Sequence, residues 1–292
     1  MHFFPYRGET KSINSQVRDT APGKFIRLSD GITHYEMAGV IKNSPVILVH
    51  GFSVPYYVWD PTFDALRNTG FNVLRYDLFG RGYSDRPKLK NDVNLFTKQL
   101  YGLIDNLSLS TPVNLVGLSL GGIIVACFTN QYPDLVDKIV LIDSAGHLIN
   151  TPWYFRFLMA PIIGEIAFSL VGNGKLVEGI AADFFDQKEI NVFLERYREQ
   201  MQYRGFKRAL LSTIRNGMLQ DFTEEFKKIG HLGKDVLIIW GKEDKAVPYE
   251  HLDLFLKEIP NAEHLLIENS GHIPHYEHPE EANPKIISFL KG

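Results

Sequence analysis

The feature that most constrains the fold of this 292-residue chain is a short glycine-rich turn between two apolar segments. The turn reads GLSLG at residues 117–121, with the run VNLV before it at 113–116 and a helix-like stretch after it at 122–127. A strand, a Gly-x-Ser-x-Gly turn and a helix are typical of a nucleophile elbow, in which the serine occupies a sharp, strained turn. Glycines flank the serine because larger side chains would clash there. The pattern predicts that Ser119 lies clear of the sheet at a helix N-terminus, where negative charge is favoured.

Short apolar runs alternate with helical stretches along the chain, which is typical of a doubly wound parallel sheet covered on both faces. Near the start, residues 25–28 and 32–37 flank Asp30 and Gly31, a hairpin signal. The sequence therefore predicts an α/β fold, with a mostly parallel eight-stranded sheet and an N-terminal antiparallel hairpin. The further predicted strands are 46–49, 72–76, 113–116, 139–142, 236–240 and 264–267, and the predicted helices are 61–68, 91–107, 122–131, 251–258 and 279–290.

The interval from 147 to 219 breaks this alternation, because it contains no convincing strand and prolines and glycines interrupt its helical patterns. A helical insertion here would cover the carboxyl ends of the strands, where open α/β sheets bind ligands. We therefore predict three parts: a polar, loose N-terminal arm at 1–24, a core formed by 25–146 and 220–292, and a helical cap at 147–219.

Charge and composition narrow the range of partners and locations. The formal net charge is −3 and the basic residues are scattered, so we expect no nucleic-acid partner. The most apolar segment, 153–172, carries Arg156 and Glu165, whereas a membrane span needs about 20 mostly apolar residues. The single cysteine, Cys127, excludes an intrachain disulfide and fits a reducing compartment, and the first nine residues do not resemble a signal peptide. We predict a cytoplasmic protein without a membrane span. The sequence does not indicate the oligomeric state.

A His-Gly turn directly follows the predicted strand 46–49. Its glycine lets backbone N–H groups point into a site at the end of that strand. The N–H of Phe52 is the candidate for one oxyanion donor, and the N–H of Leu120, just after the serine, is the candidate for the other. An ordinary strand-to-loop turn is the alternative interpretation, since this dipeptide is common.

The loop after the predicted strand 236–240 offers two acids, Glu243 and Asp244. Asp244 is the candidate for the carboxylate that orients a histidine, and Glu243 is then a solvated loop residue. An acidic turn without a catalytic role is the alternative, because acids are common in turns.

His272 follows a glycine on the loop after the last predicted strand, where a base can reach Ser119. Neutral imidazole, with a pKa near 6.5, suits a group that takes and returns one proton. His272, His275 and His278 are three residues apart, which suggests a metal site as an alternative. Pro274 breaks the helical spacing and no cysteine completes a ligand set, so we predict no metal, and we expect His275 and His278 to be surface or supporting groups.

The candidate residues occur in the order Ser119, Asp244, His272, which is the chain order of the α/β-hydrolases. From about residue 25 to 291 the chain resembles the α/β-hydrolase superfamily, in the group with a helical cap between the sixth and seventh strands. The loop at 77–84 also fits the family; it does not match the Gly-x-Gly-x-x-Gly pattern of a nucleotide site. The resemblance implies that the three residues form a catalytic triad and that neither a metal nor an organic cofactor is required.

A serine at position 119 points to acyl transfer, because haloalkane dehalogenases and epoxide hydrolases of this fold use a carboxylate there. The resemblance implies a carboxylesterase, or a lipase acting on monoacylglycerol-like substrates, that cleaves a small to medium hydrophobic ester. Some hydrolases of this fold place the acid after the sixth strand, so Asp143 competes with Asp244, whose loop matches the family pattern better. Trp153 and Phe157 of the cap are expected to pack in the cap or to line the pocket, and Ser53 is a candidate for a polar contact with the substrate.

Other functions remain open at this point. Carbon–carbon bond hydrolases of ring-cleavage pathways use the same triad and a similar cap, but the tryptophan that usually follows their catalytic histidine is Ile273 here. Cofactor-free haloperoxidases or perhydrolases are more distant alternatives. Some proteins of this fold are ligand receptors or signalling components that keep the triad and turn over little substrate.

Overall fold

The computed structural model describes residues 6–40, 43–148, 158–170, 173–188 and 190–292. The strands of the described residues are β1 (Lys24–Leu28), β2 (Gly31–Ala38), β3 (Pro45–Val49), β4 (Asn72–Tyr76), β5 (Val113–Leu118), β6 (Val136–Ile142), β7 (Val236–Gly241) and β8 (Glu263–Ile267). They form one sheet in the order β1-β2-β4-β3-β5-β6-β7-β8. β2 pairs antiparallel with β1 and β4, and the other neighbouring strands pair in parallel. The predicted mostly parallel α/β sheet with an N-terminal antiparallel hairpin is therefore confirmed.

Helices cover both faces of this sheet. The α-helices of the described residues are α1 (Ser15–Thr20), α2 (Asp60–Asn68), α3 (Val93–Asn106), α4 (Leu120–Gln131), α5 (Ile163–Leu170), α6 (Asn173–Ala182), α7 (Asn191–Gln200), α8 (Phe206–Arg215), α9 (Thr223–Leu232), α10 (His251–Glu258), α11 (Pro274–Glu277) and α12 (Pro279–Lys291). Short 3₁₀ helices lie at Tyr56–Trp59 and Pro133–Leu135. Strand and helix alternate through the core as predicted.

The strand β3 shows why the sheet strands are apolar without alternation. It reads PVILV and is buried along its whole length. Successive side chains of a strand point to opposite faces. Ile47 and Val49 pack in one core with residues of α3, α4, α9 and α10, whereas Val46 and Leu48 pack in a second core with α2, α12 and helices that follow β6. Both faces of the strand therefore need apolar side chains.

Helices α5 to α8 lie between β6 and β7, within the interval 147–219 where the helical insertion was predicted. Their apolar residues, among them Phe193, Phe206 and Leu210, join the second core on one face of the sheet. In the part of the chain that the structure describes, no helix combines the length and the apolar character needed to cross a membrane.

The described part of the N-terminal arm is anchored to the helices after β6, and it is not the loose segment that its polar sequence predicted. Tyr6 is buried, and the Glu9 carboxylate accepts hydrogen bonds of 2.7 Å from the N–H groups of Gly205 and Lys207. These donors lie at the start of α8, where a carboxylate is favoured by free N–H groups and by the helix dipole. Local polarity could not predict this contact, because Gly205 lies 196 residues away along the chain.

Candidate active site

Ser119 lies on a strained turn between β5 and α4. Its backbone angles are φ 53° and ψ −117°, a region that non-glycine residues rarely occupy. The Ser119 N–H donates to the Ile142 carbonyl over 2.9 Å, and the Ser119 carbonyl accepts from the N–H groups of Gly122 and Ala145. These contacts hold a conformation that costs on the order of 1–3 kcal/mol.

The glycines beside Ser119 are required by close backbone contacts. A Cβ atom at Gly117 would lie 2.6 Å from the carbonyl oxygen of Gly121. A Cβ atom at Gly121 would lie 2.1 Å from the carbonyl oxygen of Val49 on β3. A larger side chain would therefore clash at both positions, which is the reason predicted for the two glycines that flank Ser119.

His272 and Asp244 form a buried pair on the loops after β8 and β7. The His272 Nδ1 atom lies 2.7 Å from Asp244 Oδ2, so the ring N–H donates to the carboxylate. The second carboxylate oxygen, Oδ1, accepts from the N–H groups of Ala246 (2.7 Å) and Val247 (2.9 Å). The backbone of the loop thereby fixes Asp244, and Asp244 fixes the ring of His272.

Several carboxyl groups act on the pKa of His272. Burial by itself lowers this pKa, but the charge and hydrogen bond of Asp244, and then the charge of Asp183, raise it above its ordinary value near 6.5. Burial, followed by the charge of Asp244, holds the pKa of Asp143 well above the usual range of a carboxyl group. Burial also raises the pKa of Asp183 to about 6.

The parallel strands bring the predicted residues to one edge of the sheet. β5 and β6 pair in register up to their last residues, so Ser119 and Asp143, which follow them, are neighbours. A carboxylate oxygen of Asp143, one of Asp244 and a ring nitrogen of His272 all lie within 4.8 Å of one another. Among the described residues, Asp244 is the hydrogen-bond partner of the His272 ring, and no hydrogen bond joins that ring to Ser119. Such contacts are often long in free enzymes and shorten when substrate binds.

The predicted oxyanion turn lies directly against Ser119. A Cβ atom at Gly51 would stand 3.2 Å from the Cβ atom of Ser119. Within the described parts of the chain, the backbone N–H groups of Phe52 and Leu120 donate to no backbone acceptor. Two N–H donors are therefore open beside the serine, one of them at the N-terminal end of α4.

Arg81 supports this turn, a role that its position in the sequence did not indicate. Its side chain is fully buried, and its Nε donates to the Phe52 carbonyl over 2.8 Å. Its Nη1 donates to the Phe79 carbonyl over 3.1 Å, and its Nη2 donates to the Thr213 hydroxyl on α8 over 2.8 Å. Burial lowers the pKa of Arg81 to about 9. Arg81 thus connects the predicted oxyanion turn with the 77–84 loop and with a helix that follows β6.

His50 fixes the same turn in its neutral form. Its Nε2 accepts from the Leu78 N–H over 2.9 Å, so its Nδ1 carries the proton and donates to the Gly51 carbonyl over 2.9 Å. Burial lowers the pKa of His50 to about 4. The His-Gly dipeptide marked this turn in the sequence, but the acceptor role of His50 depends on the position of β4.

The predicted substrate-binding residues have different outcomes. Ser53 is buried beside Tyr197 on α7; burial raises the pKa of Tyr197 and a hydrogen bond with Ser53 partly offsets that rise. The hydroxyl is therefore within reach of a helix that follows β6. Trp153 and Phe157 lie outside the described residues.

The three histidines of the last loop do not converge on one point. His275 is fully buried against Trp59, and its Nε2 donates to the Val58 carbonyl over 3.1 Å, so it supports the interior and is not a surface group. His278 donates from Nε2 to the Asn269 carbonyl over 2.9 Å. In the described chain, the clusters with metal-ligand spacing place His272 with Asp143 and Asp244, and His278 with two glutamates.

The sequence as a whole matches a known family. The profile of the alpha/beta hydrolase family matches residues 46–284, which is most of the chain. The chain therefore belongs to the alpha/beta hydrolase family and is a hydrolase of that family.

Named relatives cover most of the chain at modest identity. A 2-hydroxy-6-oxononadienedioate/2-hydroxy-6-oxononatrienedioate hydrolase of Paraburkholderia phymatum is 28% identical over 93% of this chain and 96% of its own length. Lipase 1 of Psychrobacter immobilis is 26% identical over 87% of this chain and 79% of its own length. These relatives share a family and differ in their named reactions.

Solved structures show the same fold. An enol-lactonase from Burkholderia xenovorans superimposes with a TM-score of 0.79 at 20% identity and covers 92% of this chain and 100% of its own. A bromoperoxidase from Bacillus anthracis gives a TM-score of 0.78 at 24% identity, over 92% of this chain and 99% of its own. At this identity the likeness concerns the fold alone, and the choice among reactions must come from the site.

Proposed function

We propose that this protein is a serine hydrolase that cleaves carboxylic esters of small to medium hydrophobic acyl groups. The observation that carries the proposal is the position of Ser119, on a strained turn at a helix start, against a loop with open N–H donors. Asp244 and His272 form a buried pair on the loops that follow β7 and β8, at the same edge of the sheet as Ser119. Serine, imidazole and carboxylate in these roles perform acyl transfer in unrelated folds.

The proposed reaction has two half-cycles. Nε2 of His272 takes the proton of the Ser119 hydroxyl while Oγ attacks the ester carbonyl, and the N–H groups of Phe52 and Leu120 stabilise the oxyanion. The imidazolium, held by Asp244, then gives its proton to the leaving alcohol, and the acyl group stays on Ser119. Water attacks the acyl-enzyme in the same manner, releasing the carboxylic acid and restoring the hydroxyl.

The remaining parts of the proposal concern the pocket and its cover. We assign 147–219 as a cap over the core of 25–146 and 220–292, with 1–24 as an arm. Trp153 and Phe157 are proposed to line the acyl pocket on the strength of their sequence alone, and Ser53 is proposed to contact the substrate. A cytoplasmic location is proposed from the single cysteine.

The first experiment labels the protein with a fluorophosphonate and measures turnover on p-nitrophenyl esters of increasing chain length. We expect a label on Ser119, a burst of p-nitrophenol and a preference for short to medium chains. Ser119→Ala should lose the label and lower kcat on the order of 10⁶-fold. Ser110→Ala, at an exposed serine, is the matched control and should behave like the parent. Labelling without turnover would contradict the esterase and support a binding protein.

A second candidate is hydrolysis of a carbon–carbon bond. It is favoured by two relatives, from Paraburkholderia phymatum and Burkholderia vietnamiensis, both named 2-hydroxy-6-oxononadienedioate/2-hydroxy-6-oxononatrienedioate hydrolases, at 28% and 25% identity. The same purified protein should be assayed with a ring-cleavage product of this class. The loss of its absorbance measures its rate of hydrolysis. If this rate exceeded that of every ester tested, carbon–carbon bond hydrolysis would replace ester hydrolysis as the proposed function.

A further inference from the structure

A second carboxyl group, Asp143, lies in the candidate site, and the proposed ester hydrolysis gives it no role. It follows β6 with φ 40°, an uncommon conformation for a residue other than glycine, and its side chain is 0% exposed. Its Oδ1 accepts a hydrogen bond of 2.9 Å from the Gly241 N–H. Its Oδ2 receives no hydrogen bond from any donor among the described residues. Such an oxygen in a protein interior is costly unless it carries a proton that it can donate.

The two acids of the cluster differ in how well they are supported. Asp244 receives three hydrogen bonds, from the backbone N–H groups of Ala246 and Val247 and from the His272 ring. Asp143 receives one. When carboxylate oxygens of two groups lie within 4.8 Å of each other in a buried volume, the pKa of one group is raised, and the less supported group is the one that keeps the proton.

The electrostatic surroundings agree with this assignment. Burial first, and then the charge of Asp244, hold the pKa of Asp143 well above the usual range, while the positive charge of His272 opposes that rise. A further acid, Asp183 on the loop after α6, acts on the pKa of His272. With Asp143 neutral, the cluster pairs one carboxylate, that of Asp244, with the His272 ring.

We propose that Asp143 is a neutral carboxylic acid that donates a hydrogen bond from Oδ2 to the Asp244 carboxylate and thereby positions the acid of the triad. The proposal rests on the proposed function for its catalytic consequence, but the protonation state can be measured without turnover. A second carboxylate here would hold the His272 imidazolium too firmly to return its proton. A neutral donor steadies Asp244 without adding charge, as a protonated carboxyl in an apolar site can do.

Infrared spectroscopy of the full chain tests the protonation state. The parent protein should show the carbonyl stretch of a buried carboxylic acid near pH 8, and Asp143→Asn should abolish it. Asp183→Asn is the matched control; because the pKa of Asp183 is about 6, this variant should keep the band at pH 8. In Asp244→Asn the neighbouring charge is gone, so the band should titrate at a lower pH. A parent without the band, or a band that survives Asp143→Asn, overturns the proposal.

Turnover of an ester tests the positioning role. Asp143→Leu removes the donor and should lower kcat about 10–100-fold, whereas Asp143→Asn keeps an N–H donor and should recover much of that loss. If both variants lose turnover equally while fluorophosphonate still labels Ser119, the donor role is wrong. If Ser119 of the parent takes no label and no ester turns over, the proposed function fails, and the catalytic consequence fails with it. The infrared band would then still report the state of Asp143.

Discussion

Two buried histidine–aspartate pairs in this molecule have almost the same geometry and differ in what surrounds them. In the candidate site, Nδ1 of His272 lies 2.7 Å from Asp244. At the antiparallel side of the sheet, Nδ1 of His34 lies 2.8 Å from Asp77, and both of these side chains are 0% exposed. In both pairs the burial of the histidine lowers its pKa, and the aspartate together with other neighbouring groups more than reverses that effect.

The difference lies in the second ring nitrogen. Nε2 of His34 faces the Pro22 carbonyl at 2.7 Å, so both of its nitrogens face acceptors and the ring is held as a cation. The Asp77 carboxylate also accepts from the N–H groups of Tyr56 and Tyr83, which completes a closed network. His272 has one acceptor and one nitrogen without a protein partner in the described chain. A histidine that must exchange a proton needs that open nitrogen, and a histidine that ties loops together does not.

The largest expected effect comes from replacing each histidine by glutamine. His272→Gln should lower kcat on ester substrates on the order of 10⁶-fold, because it removes the proposed base. His34→Gln should leave turnover near that of the parent and lower the free energy of unfolding by about 3–5 kcal/mol, since it leaves the Asp77 charge buried without its partner. Steady-state kinetics and urea denaturation measure the two effects. A folded His34→Gln protein that lost turnover as severely would remove the distinction between the pairs.

The next effect comes from the two aspartates. Asp244→Asn should lower kcat on the order of 10⁴-fold, because an amide favours the wrong tautomer of His272. Asp77→Asn should instead lower the denaturation midpoint, because it leaves the buried His34 ring without its charged partner. The same kinetic assay decides which aspartate orients His272. Near-full activity in Asp244→Asn and none in Asp143→Asn would show that Asp143 is the acid of the triad.

The smallest expected effect is the pH dependence of stability that the His34–Asp77 pair contributes. The folded-state pKa of His34 is raised above its unfolded value near 6.5, so its contribution is complete below that value and is lost as pH rises through the folded-state pKa. The difference in unfolding free energy between the parent and His34→Gln should therefore shrink on going from pH 6 towards alkaline pH. Denaturation curves at several pH values measure it, and a difference that grew with pH would show that His34 is buried neutral.

Local patterns predicted much of the fold and the outline of the site. The apolar runs predicted β3 to β8, of which β3, β4, β5 and β7 are buried along their whole length. Asp30 and Gly31 predicted the hairpin of β1 and β2. The turn around Ser119 was predictable because the Gly-x-Ser-x-Gly pattern itself indicates a sharp turn, although the close contact that requires Gly121 is with Val49 on β3. Asp244 and His272 were candidates because each follows a strand, and the carboxyl ends of parallel strands share one edge.

The supports of the site were not predictable from local patterns. Arg81, His50 and the His34–Asp77 network depend on hydrogen bonds to residues that are distant in sequence, such as Thr213, which lies 132 positions from Arg81. The anchoring of Glu9 at the start of α8 is of the same kind. A pattern of apolar residues indicates which residues are buried, but it does not indicate which hydrogen-bond partner a buried polar residue contacts.

The sequence alone determined the order of strands and helices, the strained turn at Ser119 and the residue types available at the strand ends, because these follow from backbone sterics and short-range periodicity. The tertiary structure decided which histidine keeps an open nitrogen, which carboxyl group is left with a single donor, and where the N-terminal arm lies. Those properties arise from burial and from partners brought together across the sheet, and both exist only once the chain has folded.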